Sequence, residues 1–161
     1  MRGNNLTRQV KHLSLALKIY HCDVSQMTNY LTSITTEKGR TTCNYRIPIA
    51  TEFGKLWGLV SQTGIREERR DKAAAISKYV AETYLNREPP FQGSNLEIRH
   101  TLGGDLVMVV TNLDKDTIDE YVSSRQIPNE RELYDDRLMK IVVKGIRECC
   151  SDNVFESFAE I

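Results

Sequence analysis

The chain has 161 residues, of which 40% are hydrophobic and 27% charged, and these values are typical of a globular domain that folds without disulfides or a metal. Four prolines and nine glycines are too few for a disordered or low-complexity chain. The longest apolar run, residues 106–110, is far shorter than the roughly 20 residues that cross a bilayer, so we expect no membrane span and no membrane partner.

Charge is uneven along the chain, although the formal net charge is zero. Residues 1–55 carry eight Lys or Arg against three acids, whereas residues 96–161 carry eight against fourteen. The basic front half is suited to nucleic acid or an acidic partner. The alternative is that the two ends attract each other, or a neighbouring copy, because polarity along a sequence does not establish polarity on a surface.

Two helices are predicted at the start of the chain. Apolar residues spaced alternately by four and three predict an amphipathic helix over residues 6–20. Asp23 or Ser25 then caps a second helix, whose apolar positions run from Met27 to Ile34 and which ends before Gly39. The pair is compatible with a helix-turn-helix, in which the second helix would enter a major groove.

This front segment supplies seven candidate residues for contact with nucleic acid or a protein partner. They are Arg8, Lys11, Gln26, Thr28, Asn29, Lys38 and Arg40. The uncharged members would reach base edges and the cations would contact phosphates. However, Asp23 stands where such motifs often have glycine, and Asn29 stands where a core residue is expected. Nucleic-acid binding is therefore the alternative hypothesis.

The middle of the chain predicts one strand and two helices. Residues 41–49 alternate apolar and polar side chains until Pro48, which favours an edge strand. Thr51 caps a helix with apolar positions over 53–60, and strong helix formers over 66–85 predict a long helix.

Residues 86–95 are rich in turn formers and lack periodicity. We expect one domain over 1–161, with a sub-boundary at 86–95 between a helical front half and a mixed α+β back half.

The back half predicts a hairpin followed by helices. Alternating residues 96–102, the pair Gly103 and Gly104, and the buried run 106–110 indicate two antiparallel strands. Asp114 or Asp116 caps a helix over 118–122, Asn129 with Glu132 caps a helix reaching Cys149, and a short helix follows at 154–161. The predicted class is α+β, predominantly helical with five to seven helices, and with a small antiparallel β-hairpin or a three-stranded sheet if 41–49 joins it.

No catalytic, cofactor-binding or metal-binding residue is assigned. Neither a GxSxG nucleophile motif nor a phosphate-binding glycine loop occurs, and His100 lies at an apolar position of a strand, which favours packing over catalysis. The cysteines, Cys22, Cys43, Cys149 and Cys150, lack the paired spacing of zinc ligands. Reduced thiols in a cytoplasmic compartment are the simpler interpretation.

These observations favour a non-enzymatic protein-interaction module, either a small regulator or an assembly subunit, whose partner is a protein or a second copy. Tyr20, Phe53 and Trp57 are its candidate aromatic anchors if any of them is exposed. The alternatives are a DNA- or RNA-binding regulator that uses the front segment, and a hydrolase of unknown class.

Overall fold

The chain forms an α+β fold in which helices cover one face of an antiparallel sheet. The computed structural model describes residues 30–61 and 67–149. The elements are strands β1 (Leu31–Glu37) and β2 (Arg40–Ile47), helices α1 (Glu52–Ser61) and α2 (Glu67–Arg87), a 3-10 turn (Pro89–Phe91), strands β3 (Asn95–His100) and β4 (Leu106–Asp114), and helix α3 (Lys115–Ser124). A final helix, α4, has three contiguous segments, Glu130–Glu132, the π-helical Leu133–Leu138, and Met139–Cys149. No helix within the described ranges is long and apolar enough to cross a membrane.

The predicted fold class is wrong in its proportions, although α+β is confirmed. The described residues contain four helices and a four-stranded sheet of order β1-β2-β4-β3, instead of five to seven helices with a small hairpin. All neighbouring strands pair antiparallel. Two hairpins, β1–β2 and β3–β4, are therefore joined side by side through β2 and β4 into one sheet.

The main error lies in residues 31–37, which form β1 and not part of a helix. This segment, LTSITTE, is rich in β-branched side chains, which fit a pleated strand better than a helix. Lys38 and Gly39 follow with φ of 51° and 75°, a left-handed pair that closes a two-residue turn between the paired residues Glu37 and Arg40. The hairpin outweighs the helical spacing of Met27 to Ile34.

Strand β2 is interior, whereas the sequence predicted an edge strand. It pairs with β1 on one side and β4 on the other. Pro48 lies just beyond the last strand residue, Ile47, so its missing N–H removes no hydrogen bond from the ladder. Cys43, Tyr45 and Ile47 alternate towards the helices and are fully buried there.

A bulge in β4 sets the register between the two hairpins. Thr111 and Asn112 together face a single β2 residue, and Asn112 has a left-handed φ of 65°. The Asn112 side-chain amide donates to the carbonyl of Gly93 at 2.9 Å. The bulge returns Leu113 to the buried face of the sheet.

The predicted helices at 53–60 and 66–85, and the hairpin over 96–110, are confirmed by the structure. Three predicted helix caps are confirmed as well. Thr51 Oγ1 accepts from Gly54 N at 3.2 Å, and Asn129 Oδ1 accepts from Glu132 N at 2.9 Å. Asp114 caps α3. The predicted helices at 6–20 and 154–161 lie outside the described residues.

The core lies between the sheet and helices α1, α2 and α4. Its largest fully buried side chains are Tyr45, Tyr134, Phe53, Phe91, Ile47, Leu56, Leu85, Leu96, Leu106, Met108 and Leu113. Helices α2 and α4 cross at Ala81 and Gly145, where the absence of a side chain at Gly145 lets the two backbones meet.

A buried polar chain links the sheet to α4 beneath β2. The Tyr45 hydroxyl donates to the Tyr134 carbonyl at 2.9 Å, and the Tyr134 hydroxyl donates to Glu130 Oε1 at 2.8 Å. Glu130 in turn accepts from Lys115 Nζ at 2.7 Å. Burial raises the pKa of both tyrosines, so both hydroxyls stay protonated and able to donate.

Candidate functional site

The structure describes two of the seven candidate contact residues, Lys38 and Arg40. The other five, Arg8, Lys11, Gln26, Thr28 and Asn29, lie outside the described residues. Lys38 and Arg40 are exposed at the β1–β2 turn, and Arg40 Nη1 lies 3.8 Å from Asp114 Oδ1. Arg40 therefore stands beside an acid at the start of α3.

The candidate aromatic anchors in the described part of the chain belong to the core. Phe53 is fully buried and Trp57 nearly so, both on the inward face of α1. Their packing explains the apolar periodicity of that helix. Neither ring is presented to a partner, and Tyr20 lies outside the described residues.

Cys43 and His100, the residues considered for chemistry whose side chains the structure describes, lie on different strands and do not form one site. Cys22 and Cys150 lie outside the described residues. Burial raises the pKa of the Cys43 thiol, which keeps it neutral and a poor nucleophile. His100 is exposed at the end of β3, not packed inside as its strand position indicated. Among the described residues no three His, Cys, Asp or Glu side chains gather as metal ligands.

Helix α2 carries a second surface away from its buried face, and part of that surface is exposed among the described residues. Residues at four-residue spacing, Ala73, Ser77, Ala81 and Leu85, are buried. We call the surface around Tyr79 the α2 stripe, and it consists of Ala75, Ile76, Tyr79, Val80 and Thr83. Tyr79 at its centre is 71% exposed. Ile76 and Val80 beside it are half-buried and lie outside the hydrophobic core cluster.

The stripe ends at a polar cleft between the C-terminal turns of α2 and the start of β3. This α2–β3 cleft has a volume of about 450 Å³ and is lined by Glu82, Thr83, Asn86, Arg87, Gly93, Ser94 and Asn95. Every lining residue except the glycine has a polar side chain. Thr83 belongs to both features, which makes the stripe and the cleft one continuous surface.

Asn86 holds the cleft together. Its side-chain nitrogen donates to the carbonyls of Glu82 and Ser94, at 2.9 and 3.0 Å, and its oxygen accepts from Gly93 N at 2.6 Å. Gly93 has a φ of 83°, in the left-handed region that suits glycine. The loop before β3 is thus fastened to α2 by one amide side chain.

Two lining residues have polar atoms of particular interest. Glu82 Oε2 accepts from Leu96 N at 2.8 Å, which fixes the carboxylate against the β3 edge. Ser94 is only 2% exposed, and its Oγ has no hydrogen-bond partner among the described residues. A buried hydroxyl without a partner is costly and therefore uncommon in folded proteins.

Sequence reasoning missed both features, although a signal for each was present. The apolar residues over 66–85 are too many for one helix face: at 3.6 residues per turn, Tyr79 lies about 160° around the helix from Ala81 and about 120° from Ala73. The cleft depends on hydrogen bonds between Asn86 and the loop before β3, for which the sequence indicated only turns. The spacing of residues along the sequence does not predict those bonds.

Comparison of the chain with protein-family models, with curated proteins and with solved structures found no match. The geometry of the α2 stripe and the cleft is therefore the basis for a functional proposal.

Proposed function

We propose that this protein is a non-enzymatic interaction module, a small regulator or assembly subunit, which docks on a protein partner through the α2 stripe. The observation that carries the proposal is the exposure of Tyr79 between two apolar neighbours on the side of α2 away from the core. Tyrosine is enriched at interfaces because its ring buries a large apolar area at low entropic cost while its hydroxyl keeps a polar partner.

The surroundings of the stripe support docking by an apolar partner surface. Lys72, Lys78, Glu82 and Arg87 lie around it on α2, so an apolar centre is bordered by charges of both signs, as in the rim of a protein interface. Helix α2 packs against α4 from behind, at Ala81. The stripe thus stands on a supported helix and would lose little backbone entropy on binding.

A site-specific photo-crosslinker tests the proposal directly. One is placed at residue 79, and a control crosslinker replaces Leu102, the fully exposed apolar residue of the β3–β4 turn. In extract from the source cells we expect a discrete protein adduct from position 79 that resists nuclease and is absent from position 102. Nucleic-acid adducts or equal adducts at both positions would contradict the proposal, and a dimer of this chain would identify the partner as a second copy.

The partner found in this way is then titrated against purified variants. Tyr79→Ala is expected to weaken binding about 30-fold, as truncation of a central aromatic anchor does, while Leu102→Ala leaves it unchanged. Circular dichroism of each variant controls for folding, since neither side chain belongs to the core. Unchanged affinity of Tyr79→Ala would rule out the α2 stripe as the docking surface.

A further inference from the structure

We propose that strand β3 pairs, through its edge away from β4, with β3 of a second copy of this chain. The two strands run antiparallel about a two-fold axis at Ile98, so that the two sheets join into one. The starting point is that β3 is the last strand of the order β1-β2-β4-β3, and that no described strand pairs with its other edge. The proposal does not rest on partner docking at the α2 stripe.

One hydrogen bond identifies the main-chain groups of β3 that point away from β4. Leu96 N donates to Glu82 Oε2, a side chain of α2. Main-chain groups alternate in direction along an antiparallel strand, and β3 pairs with β4 without a register shift. Ile98 and His100 therefore direct their N–H and C=O groups outward, as Leu96 does, and the described residues offer those groups no partner. Such an edge is a template for a further strand.

The charges beside Ile98 select a second copy as that strand. Glu97 and Arg99 are exposed on the sheet face away from the helices. With Ile98 opposite Ile98, each Glu97 lies opposite Arg99 of the other copy, in the pairs whose side chains are closest. A shift of two residues either way places Glu97 opposite Glu97 or Arg99 opposite Arg99, and like charges directly opposite are destabilising. The edge is thus complementary to itself in one register.

The same register uses the outward main-chain groups. The two Ile98 residues exchange N–H to C=O bonds, and each His100 N–H donates to a Leu96 carbonyl. The His100 carbonyl in turn takes the place of the Glu82 carboxylate at Leu96 N. The His100 side chain projects on the same side of the sheet as Leu96 and Glu82, so its imidazole offers that carboxylate a new donor. The hydrogen bond of Glu82 is exchanged and not lost.

Burial of apolar surface favours the same pairing. Ile98 is half-buried against the hydrophobic core cluster, and the part of its side chain left exposed lies at the edge of the sheet. In the pairing the two Ile98 side chains lie opposite each other on the helix side of the joined sheet. Each covers the other, which adds an apolar contact at the two-fold axis.

Sedimentation equilibrium of the full chain tests whether it dimerises, and amide hydrogen exchange followed by NMR locates the contact. We expect a reversible equilibrium between monomer and dimer. The amides of Ile98 and His100 should become protected as the protein concentration rises and the dimer forms. The amides of Glu97 and Arg99 point towards β4 and should be protected in both states, which makes them an internal control.

Charge reversal separates edge pairing from unspecific association. Glu97→Arg or Arg99→Glu alone places like charges opposite in two symmetry-related pairs, and each should raise the dissociation constant of the dimer about tenfold or more. The double variant Glu97→Arg with Arg99→Glu restores opposite charges and should return the constant to that of the unaltered protein. Glu120→Arg, the matched reversal of an exposed acid on α3, should change nothing. Circular dichroism controls for folding.

Several outcomes would overturn the proposal. They are a monomer at every concentration, a dimer that ignores both single reversals, a double variant that stays dissociated, or unchanged exchange of the Ile98 and His100 amides. Tyr79→Ala should leave the dimer intact. If it dissociates the dimer while the reversals do not, the copies meet at the α2 stripe and not at β3. Failure of edge pairing and failure of stripe docking are therefore separate results.

Discussion

The contact between Gly145 and Ala81 determines how closely α4 approaches α2. A Cβ on Gly145 would overlap the Cα of Ala81 and lie 3.0 Å from its backbone nitrogen. Backbone atoms cannot rotate away as a flexible side chain would, so the helices would have to separate. The buried small residues of α2, Ala73 and Ser77 together with Ala81, allow the same close approach.

Gly145→Ala is therefore expected to destabilise the fold, even though alanine is the better helix former. We expect a loss of about 1–3 kcal/mol in the free energy of unfolding, the usual effect of overpacking. Gly58→Ala in α1 is the matched control, since its Cβ would meet no atom of the described residues within 4 Å, and it should gain roughly 0.5–1 kcal/mol. Urea denaturation measures both, and equal effects in the two variants would contradict this account.

At the scale of elements, the β1–β2 turn illustrates what sequence patterns leave undecided. The spacing of apolar residues before Gly39 fits a helix, whereas the β-branched content of LTSITTE fits a strand. Lys-Gly is also a weaker turn signal than Asn-Gly, because lysine is not specially suited to a left-handed φ. The strand is recognisable only from its pairing with β2, which the spacing of apolar residues within 31–37 does not reveal.

Lys38→Asn should strengthen this hairpin. Asparagine adopts the left-handed conformation at lower cost than lysine, so we expect a gain of roughly 0.5–1 kcal/mol in the free energy of unfolding. Gly39→Ala, at a φ of 75°, should lower it. Thermal denaturation followed by circular dichroism shows whether each variant is stabilised or destabilised. A destabilised Lys38→Asn would show that the turn is not under local strain.

Other elements were predictable because their signals are local. Thr51 and Asn129 were anticipated as helix caps, and Asp114 as one of two candidates with Asp116, since a side-chain oxygen at a helix start needs only the next few residues. The order of the strands and the bulge at Asn112 depend on contacts between distant segments. The same limit applies to the candidate site, because Glu82, Asn86 and Ser94 come together only when β3 lies beside α2.

For the whole molecule, one buried thiol and two buried phenols make the free energy of unfolding depend on pH in the alkaline range. Burial raises the pKa of Cys43, Tyr45 and Tyr134 above the ordinary values of 9.0 for the thiol and 10.0 for the phenols. The folded chain retains these protons where the unfolded chain releases them. Their contribution is therefore fully present below pH 9.0 and is lost as the pH rises towards the folded pKa values.

The free energy of unfolding should accordingly fall above pH 9.0, by up to about 1.4 kcal/mol per pH unit for Cys43 alone, and more steeply above pH 10.0. Lys115, whose pKa is raised by the hydrogen bonds that it donates to Glu130 and Asp119, acts in the same direction above its ordinary 10.5. Cys43→Ala should remove the first part of the decline. Urea denaturation across this range checks it, and an identical pH slope in Cys43→Ala would refute the assignment.

The carbonyl of Gly39 accepts a hydrogen bond from Lys115 N at 3.0 Å, which fastens the tip of the first hairpin to the opening turn of α3. Lengthening that turn would detach one end of the sheet from a helix synthesised much later in the chain. A fluorophore or affinity tag is better grafted at the opposite loop, beside Leu102, where the side chain points freely into water.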